Sequence, residues 1–354
     1  MLFLFIFTCY LNFFNQYSRK RPRPSTSKYL FAYFRGEYET NGEQVYFATS
    51  EDGLHWEELN GKGSSQKPVL TSTIGDKGVR DMFIIRSPEN NKFFLIASDL
   101  KINGNWDWDR AQHNGSHSII IWESKDLVHW SDPRNVSVAT SNAGCTWAPE
   151  SIYIDSKENR NKKNRPNYFN NNYFDEDFNG YAVYWASRVY ENGHWSQQRI
   201  YMAKTQDFIT FTPPQLFINE TYDVIDTTII KSSIDGSYYR FSKNESKKNI
   251  VVQRTDDFFS TWKYVKAPTV ESQNGVEAPL IFKLNNENRW CLMLDNYGGT
   301  GYYPLITNNL SGDELEFEIL DKSKYQMPGN PRHGYVLPIT DYEYRDIRNR
   351  WLIE

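Results

Sequence analysis

The sequence predicts an all-β chain folded as a five-bladed β-propeller, closed by strands from both ends of the chain in one blade. Three observations predict it. Five times a charged or titratable residue opens a short apolar run: Arg80-Asp81 before residues 82–85, Trp147-Ala148-Pro149-Glu150 before 151–154, Ile225-Asp226 before 227–230, Val276-Glu277 before 278–282, and Arg332-His333 before 334–338. Five times a strand closes on a polar turn followed by an aromatic or apolar residue, at 50–56, 123–130, 204–211, 254–262 and, in degraded form, 307–310. The closings alternate with the openings, and the first closing precedes the first opening. The openings recur at intervals of roughly 50 to 75 residues, the length of one four-stranded sheet with its connections.

The elements follow in order. Residues 1–14 are mostly apolar and are followed by Arg19, Lys20, Arg21 and Arg23. The run is too short for a comfortable membrane span and suits the apolar region of a secretory signal; an uncleaved anchor and an extension without targeting role are the other readings. Residues 1–27 are therefore read as signal or anchor plus linker, and 28–354 as the propeller. Residues 29–34 and 44–49 form a strand pair that completes the blade begun by His333. Strands at 93–98 and 118–122 serve the first opening, 181–186 and 199–203 the second, 238–242 and 250–253 the third, and 289–294 the fourth. Each closing reads as a turn in which a Ser, Thr or Asp side chain accepts from local backbone N–H groups while the next aromatic packs back on its strand. Residues 155–179, rich in Asn and carrying Lys162-Lys163-Asn164-Arg165, read as a surface insertion. No segment shows a helical period over a dozen residues.

Composition narrows the partners. A net charge of −4 offers no electrostatic case for nucleic acid. An aromatic content of 16%, with 11 Trp and 24 Tyr, suits strands and a site that stacks on sugar rings. Five Asn-x-Ser/Thr sites, at Asn114, Asn135, Asn219, Asn244 and Asn309, favour a secreted or cell-surface protein, as does the apolar N-terminal run. Contact with a membrane is expected only if that run is an uncleaved anchor. Of the three cysteines, Cys9 would leave with a signal, and Cys145 and Cys291 remain as a pair that either joins or stays free.

In a propeller the innermost strand of every blade faces the axis, so Asp81, Glu150, Asp226, Glu277 and His333 should converge at one end. Converging carboxylates push one another's proton affinities apart. Such a set serves acid–base catalysis, a metal site or a buried network. Glycosidic hydrolysis needs one protonated carboxyl for the leaving oxygen and one ionised carboxylate for water or direct attack. Taken singly, an Asp at a strand entrance is an ordinary cap, and a lone His is more often a hydrogen-bonded interior residue than a ligand. Asp226 reads equally as a sugar-binding or network residue and as a cap. Trp106 and Trp108, in a loop on the same side, could wall a sugar site, and the Gly-rich stretch 296–302 is a second candidate rim. That stretch lacks the strand–helix context of a phosphate loop.

The order and wording of these openings resemble glycoside hydrolase family 43, five-bladed propeller enzymes acting on arabinose- and xylose-containing glycans. The resemblance covers nearly all of residues 29–340 and rests on Arg80-Asp81-Met82-Phe83-Ile84, Trp147-Ala148-Pro149-Glu150, Val276-Glu277-Ala278-Pro279 and Arg332-His333-Gly334. It implies an inverting glycosidase acting on an oligo- or polysaccharide. Asp81 would be the general base, Glu277 the general acid, and Glu150 the residue that holds the acid and raises its proton affinity. Trp106, Trp108, Trp147, Asp226 and Arg332 are the expected sugar contacts. His333 would stand beside an axial calcium ion bound mostly through water; no organic cofactor is implied. Three positions depart from the usual pattern: Glu150 stands where Asp is more usual, Met82 where Pro is common, and Ala278 where Gly is common. α-L-arabinofuranosidase is the first expectation and β-xylosidase the second. A galactofuranosyl or galactosyl glycosidase, a carbohydrate-binding propeller without catalysis, and a protein-interaction propeller are the alternatives.

Overall fold

The computed structural model describes residues 25–156 and 178–352. Most of the N-terminal segment and the basic run at 162–165 lie outside these residues. Five four-stranded antiparallel sheets surround an axis. From the axis outward, blade I is Val79–Arg86, Phe93–Asp99, Ser118–Ser124 and Arg134–Ser137. Blade II is Trp147–Ile154, Gly180–Ser187, Arg199–Thr205 and Gln215–Ile218. Blade III is Val224–Lys231, Tyr238–Asn244, Asn249–Thr255 and Lys263–Tyr264. Blade IV is Glu277–Lys283, Trp290–Asn296, Gly301–Thr307 and Glu318–Ile319. Blade V starts inside with Arg332–Ile339, then returns to the N-terminal part of the chain for Lys28–Phe34, Tyr46–Ser50 and Trp56–Glu58. Antiparallel pairing of Lys28–Phe34 with Arg332–Ile339 closes the ring as expected, so this sheet is built from both ends of the chain.

The strands are β-branched and aromatic runs buried on both faces, because each sheet is sandwiched between two others. Trp122, Trp185 and Trp290 are fully buried in blades I, II and IV. Phe47 of blade V packs with Leu30, Val45 and Ile84 across the joint with blade I. A side chain of this size contributes about 1.5–3 kcal/mol when removed from water, so the joint is held by apolar burial rather than by a covalent link. Cys145 and Cys291 are both buried and free.

The closing turns are hydrogen-bonded as their residues dictate. Gly53, Leu127 and Phe208 donate their N–H groups to Ser50, Ser124 and Thr205, and the carboxylates of Asp52, Asp126 and Asp207 each accept from two following N–H groups. These bonds hold Leu127 and Phe208 in left-handed backbone (φ 65° and 56°), a conformation that costs a residue with a Cβ about 1–2 kcal/mol. Three α-helices among the described residues were not foreseen, one of them the single turn Pro268–Glu271. Trp108–His113 follows the Asp107 cap, and Asp341–Trp351 follows a capping box of Thr340 and Glu343. The last buries only Ile347 and Trp351, too few apolar positions to leave a periodic signal. Among the five Asn-x-Ser/Thr sites, Asn244 is buried and its Oδ1 accepts from Ser246 N and Lys247 N.

Candidate active site

One irregularity, repeated on all five inner strands, builds the site. Three residues of each inner strand span two of its neighbour, between Arg80 and Phe83, Trp147 and Glu150, Ile225 and Thr228, Glu277 and Leu280, and Arg332 and Tyr335. A β-bulge of this kind re-aims the side chains beside it. The residues before the bulge are Arg80, Trp147, Ile225, Glu277 and Arg332, and all five line one cavity of about 350 Å³. The residues at the bulge are Asp81, Ala148, Asp226, Ala278 and His333. The three of these that carry a polar side chain, Asp81, Asp226 and His333, also line the cavity. Four bulge residues take positive φ: Asp81 58°, Ala148 48°, Asp226 46° and Ala278 48°. Gly334, just past the fifth bulge, is required sterically, since a Cβ there would lie 2.0 Å from the carbonyl oxygen of Ala32.

Asp81 is fixed from two sides. Ser98 Oγ donates to its Oδ2 at 2.6 Å and itself accepts from Ala148 N at 2.8 Å, so one hydroxyl ties blade I to blade II. His333 Nδ1 lies 3.2 Å from Asp81 Oδ1 and 3.8 Å from Asp226 Oδ1. Burial alone would raise the Asp81 carboxyl. The bond and charge of His333, helped by Arg80 and Ser98, outweigh it and hold Asp81 below the ordinary range. Burial likewise opposes a charged His333, but Asp81 and Asp226 push its imidazole up to about 9.

Glu277 sits between two cations. Lys243 Nζ is 2.8 Å from Oε2, and Arg332 Nη2 is 2.5 Å from Oε1. Against its burial, these two charges hold Glu277 below the ordinary carboxylate range. Lys243 also pairs with Glu245 at 2.7 Å, and Arg332 Nε with Asp295 Oδ2 at 2.6 Å. Asp226 accepts from Ala278 N at 3.1 Å, the backbone next to Glu277. Burial first and the negative charge of Glu277 second push Asp226 up to about 6, against the pull of His333 and Lys243.

Glu150 requires a correction. It lies two residues past its bulge, is 3% exposed and does not line the cavity. Tyr184 Oη donates to its Oε2 at 3.0 Å, and burial pushes the carboxyl up to about 8. Counting from the shared bulge, Glu150 matches Phe83, Thr228 and Leu280, whereas Asp226 matches Asp81. The structure therefore groups Asp81, Asp226 and Glu277, with Glu150 buried beneath them. Trp108 and Trp147 line the cavity and meet edge to face at 6.5 Å, while Trp106 does not line it. Tyr297 also lines the cavity.

Residues 25–345 match a family described as probable glycosyl hydrolase domain, related to glycoside hydrolase family 43. The chain belongs to this family. It is also 31% identical over 308 residues to an α-L-arabinofuranosidase of Bifidobacterium longum subsp. longum, a match covering 77% of this chain and 26% of that protein. The chain thus spans about a quarter of that relative's length. Among solved structures, it is similar to a thermostable family-43 glycoside hydrolase (TM-score 0.45, 15% identity, 77% of each chain). It is also similar to the catalytic domain of a Coprinopsis cinerea family-62 α-L-arabinofuranosidase (TM-score 0.47, 13% identity, 77% of this chain and 76% of that one).

An axial calcium would have to draw most of its ligands from water. Calcium takes six to eight oxygen ligands. The axis carries the His333 imidazole, with Nδ1 engaged by Asp81, and the Glu150 carboxyl, which burial keeps neutral. Among the described residues no group of three or more His, Cys, Asp or Glu side chains could hold a metal ion. His333 itself places a positive charge between Asp81 and Asp226. Sequence reasoning missed Lys243, Glu37, Tyr38 and Arg188, which line the cavity, and Asp295 behind Arg332. Lys243 and Asp295 are the cross-strand partners of Ile225 and Glu277 on second strands, where no opening pattern marks them.

Proposed function

We propose that the chain is an inverting glycoside hydrolase that removes terminal α-L-arabinofuranosyl residues from plant-type polysaccharide. The observation that carries this reading is the convergence of Asp81, Asp226 and Glu277, from three blades, on one cavity walled by Trp108 and Trp147. Asp81, ionised and aligned by Ser98 and His333, takes a proton from water as its oxygen attacks the anomeric carbon. The glycosidic C–O bond breaks, and the leaving oxygen takes the proton of Glu277. Glu277 stays anionic while Lys243 and Arg332 hold it. Asp226 acts against them, since a neighbouring negative charge raises proton affinity. When sugar hydroxyls take over the hydrogen bonds of the two cations, Glu277 takes up a proton from solvent and becomes the acid. The positioning role expected of Glu150 passes to Asp226. The arabinofuranosyl preference is supported by the 31% identical relative. A secreted or cell-surface setting is supported by the apolar run at 1–14 and by exposed Asn114, Asn219 and Asn309.

The clamp on Glu277 also favours a second reading, a sugar-binding propeller without catalysis, because an acid held by two cations is an acid held ionised. Assay on 4-nitrophenyl α-L-arabinofuranoside, β-D-xylopyranoside and β-D-galactofuranoside, with product anomers followed by proton NMR, separates the two. The proposal expects turnover of the arabinofuranoside with β-arabinose as first product. Retention of configuration refutes inversion, preference for another glycoside refutes the sugar, and binding without turnover selects the second reading.

A further inference from the structure

At the edge of the catalytic cavity two of the most exposed aromatic rings in the protein touch each other. Tyr38 is 82% exposed and Trp106 is 49% exposed, with ring centroids 5.2 Å apart and planes tilted by 44°. Single exposed aromatics are ordinary on a protein surface. These two come from different blades, the loop after Lys28–Phe34 in blade V and the loop after Phe93–Asp99 in blade I. Their footing is rigid. Glu43, 2% exposed, accepts from Ile102 N and Asn103 N at 2.8 Å each and from Arg80 Nη1 at 3.1 Å. Asn103 Nδ2 donates to Glu37 O at 2.7 Å, and Arg80 Nη1 reaches Glu37 Oε2 at 3.2 Å. The backbone of Trp106 is held at φ 55°, with its N–H on Ile102 O at 2.9 Å. Strain of this kind persists where the surroundings over-determine it, and it gathers at ligand-binding segments.

The pair is continuous with the cavity. Tyr38 and Trp108 both line it, and the Arg80 guanidinium, next in sequence to Asp81, lies 5.1 Å from the Trp108 ring. Neither Tyr38 nor Trp106 contributes to a hydrophobic core, so the fold does not need the rings. Apolar sugar faces stack on such rings, and a platform fixed before binding loses little freedom on binding.

We propose that Tyr38 and Trp106 form an outer stacking platform for the leaving-group sugars of an oligosaccharide whose terminal residue occupies the cavity. The chain then selects glycosides with an extended sugar leaving group over those with a small one. This inference rests on the glycosidase reading above.

The test uses Tyr38→Ala, Trp106→Ala and the double variant. Affinity for arabinan- and arabinoxylan-derived oligosaccharides is measured by calorimetry in an Asp81→Asn background, which binds without cleaving, beside affinity for free arabinose. kcat/KM on the oligosaccharide and on the aryl arabinofuranoside is measured in the otherwise native chain. Each single variant should lower oligosaccharide affinity about three- to tenfold, the range expected for one aromatic contact. The ratio of kcat/KM on oligosaccharide to aryl glycoside should fall by a similar factor, mainly through KM. Equal oligosaccharide affinity with and without the rings overturns the platform, as does an equal loss on both substrates. Ring-dependent oligosaccharide binding by a chain that hydrolyses none of these glycosides keeps the platform and removes the glycosidase reading.

Discussion

His333 and Asp81 form an ion pair at 3.2 Å, and the same imidazole stands 3.8 Å from Asp226. One positive ring therefore serves two cavity carboxylates from a position on the innermost strand of the closing blade. Replacing it with a neutral residue should raise the proton affinity of Asp81. In His333→Gln the acid limb of the kcat/KM profile should move up by about one to three pH units, the usual effect of a close opposite charge. An unmoved limb would mean that Asp81 is not the base. EDTA should leave the wild-type profile and melting temperature unchanged, because His333 already supplies the axial charge. A fall in either would show that a metal ion contributes.

Lys243 controls the other limb. Its ammonium lies 2.8 Å from Glu277 and, with Arg332, stabilises the anion. Lys243→Met should raise the proton affinity of Glu277 and carry the alkaline limb to higher pH. Lys243→Arg should largely restore it. A limb that stays in place in the methionine variant, with normal circular dichroism, would separate Lys243 from the acid.

Glu150 has its own signature, in stability. Burial pushes its carboxyl up to about 8, so the folded protein holds this proton more tightly than the unfolded chain does. That contribution is complete below the ordinary glutamate value of 4.5 and disappears as pH rises through about 8. Glu150→Gln keeps the shape and removes the titration. Its melting temperature should decline less than that of the wild type between about pH 5 and 9. Parallel curves would mean that Glu150 is solvated or already ionised.

Much of this was legible in the sequence, because the signals are local. A Ser/Thr–x–Asp turn satisfies its own backbone, so it looks alike wherever it occurs. The offset between openings and closings located the closing blade. The error at Glu150 has an equally physical cause. Side chains alternate with a period of two along a strand, so one extra bulged residue changes which of them meet the axis. The five openings share a pattern in sequence but not a register: Asp81 and Asp226 stand at the bulge, Glu277 one before it and Glu150 two after it. Lys243 escaped notice because its relation to Glu277 crosses two blades.

The most direct test of the site is the split between leaving groups. A general acid matters in proportion to how badly the leaving oxygen needs a proton, while water must be activated for every substrate. Glu277→Gln should lose about 10²–10⁴-fold on an arabinofuranosyl oligosaccharide and far less on the 4-nitrophenyl glycoside, and Asp81→Asn should lose heavily on both. Equal losses for Glu277→Gln on the two substrates, with the fold intact, would contradict the assignment of Glu277 as the acid.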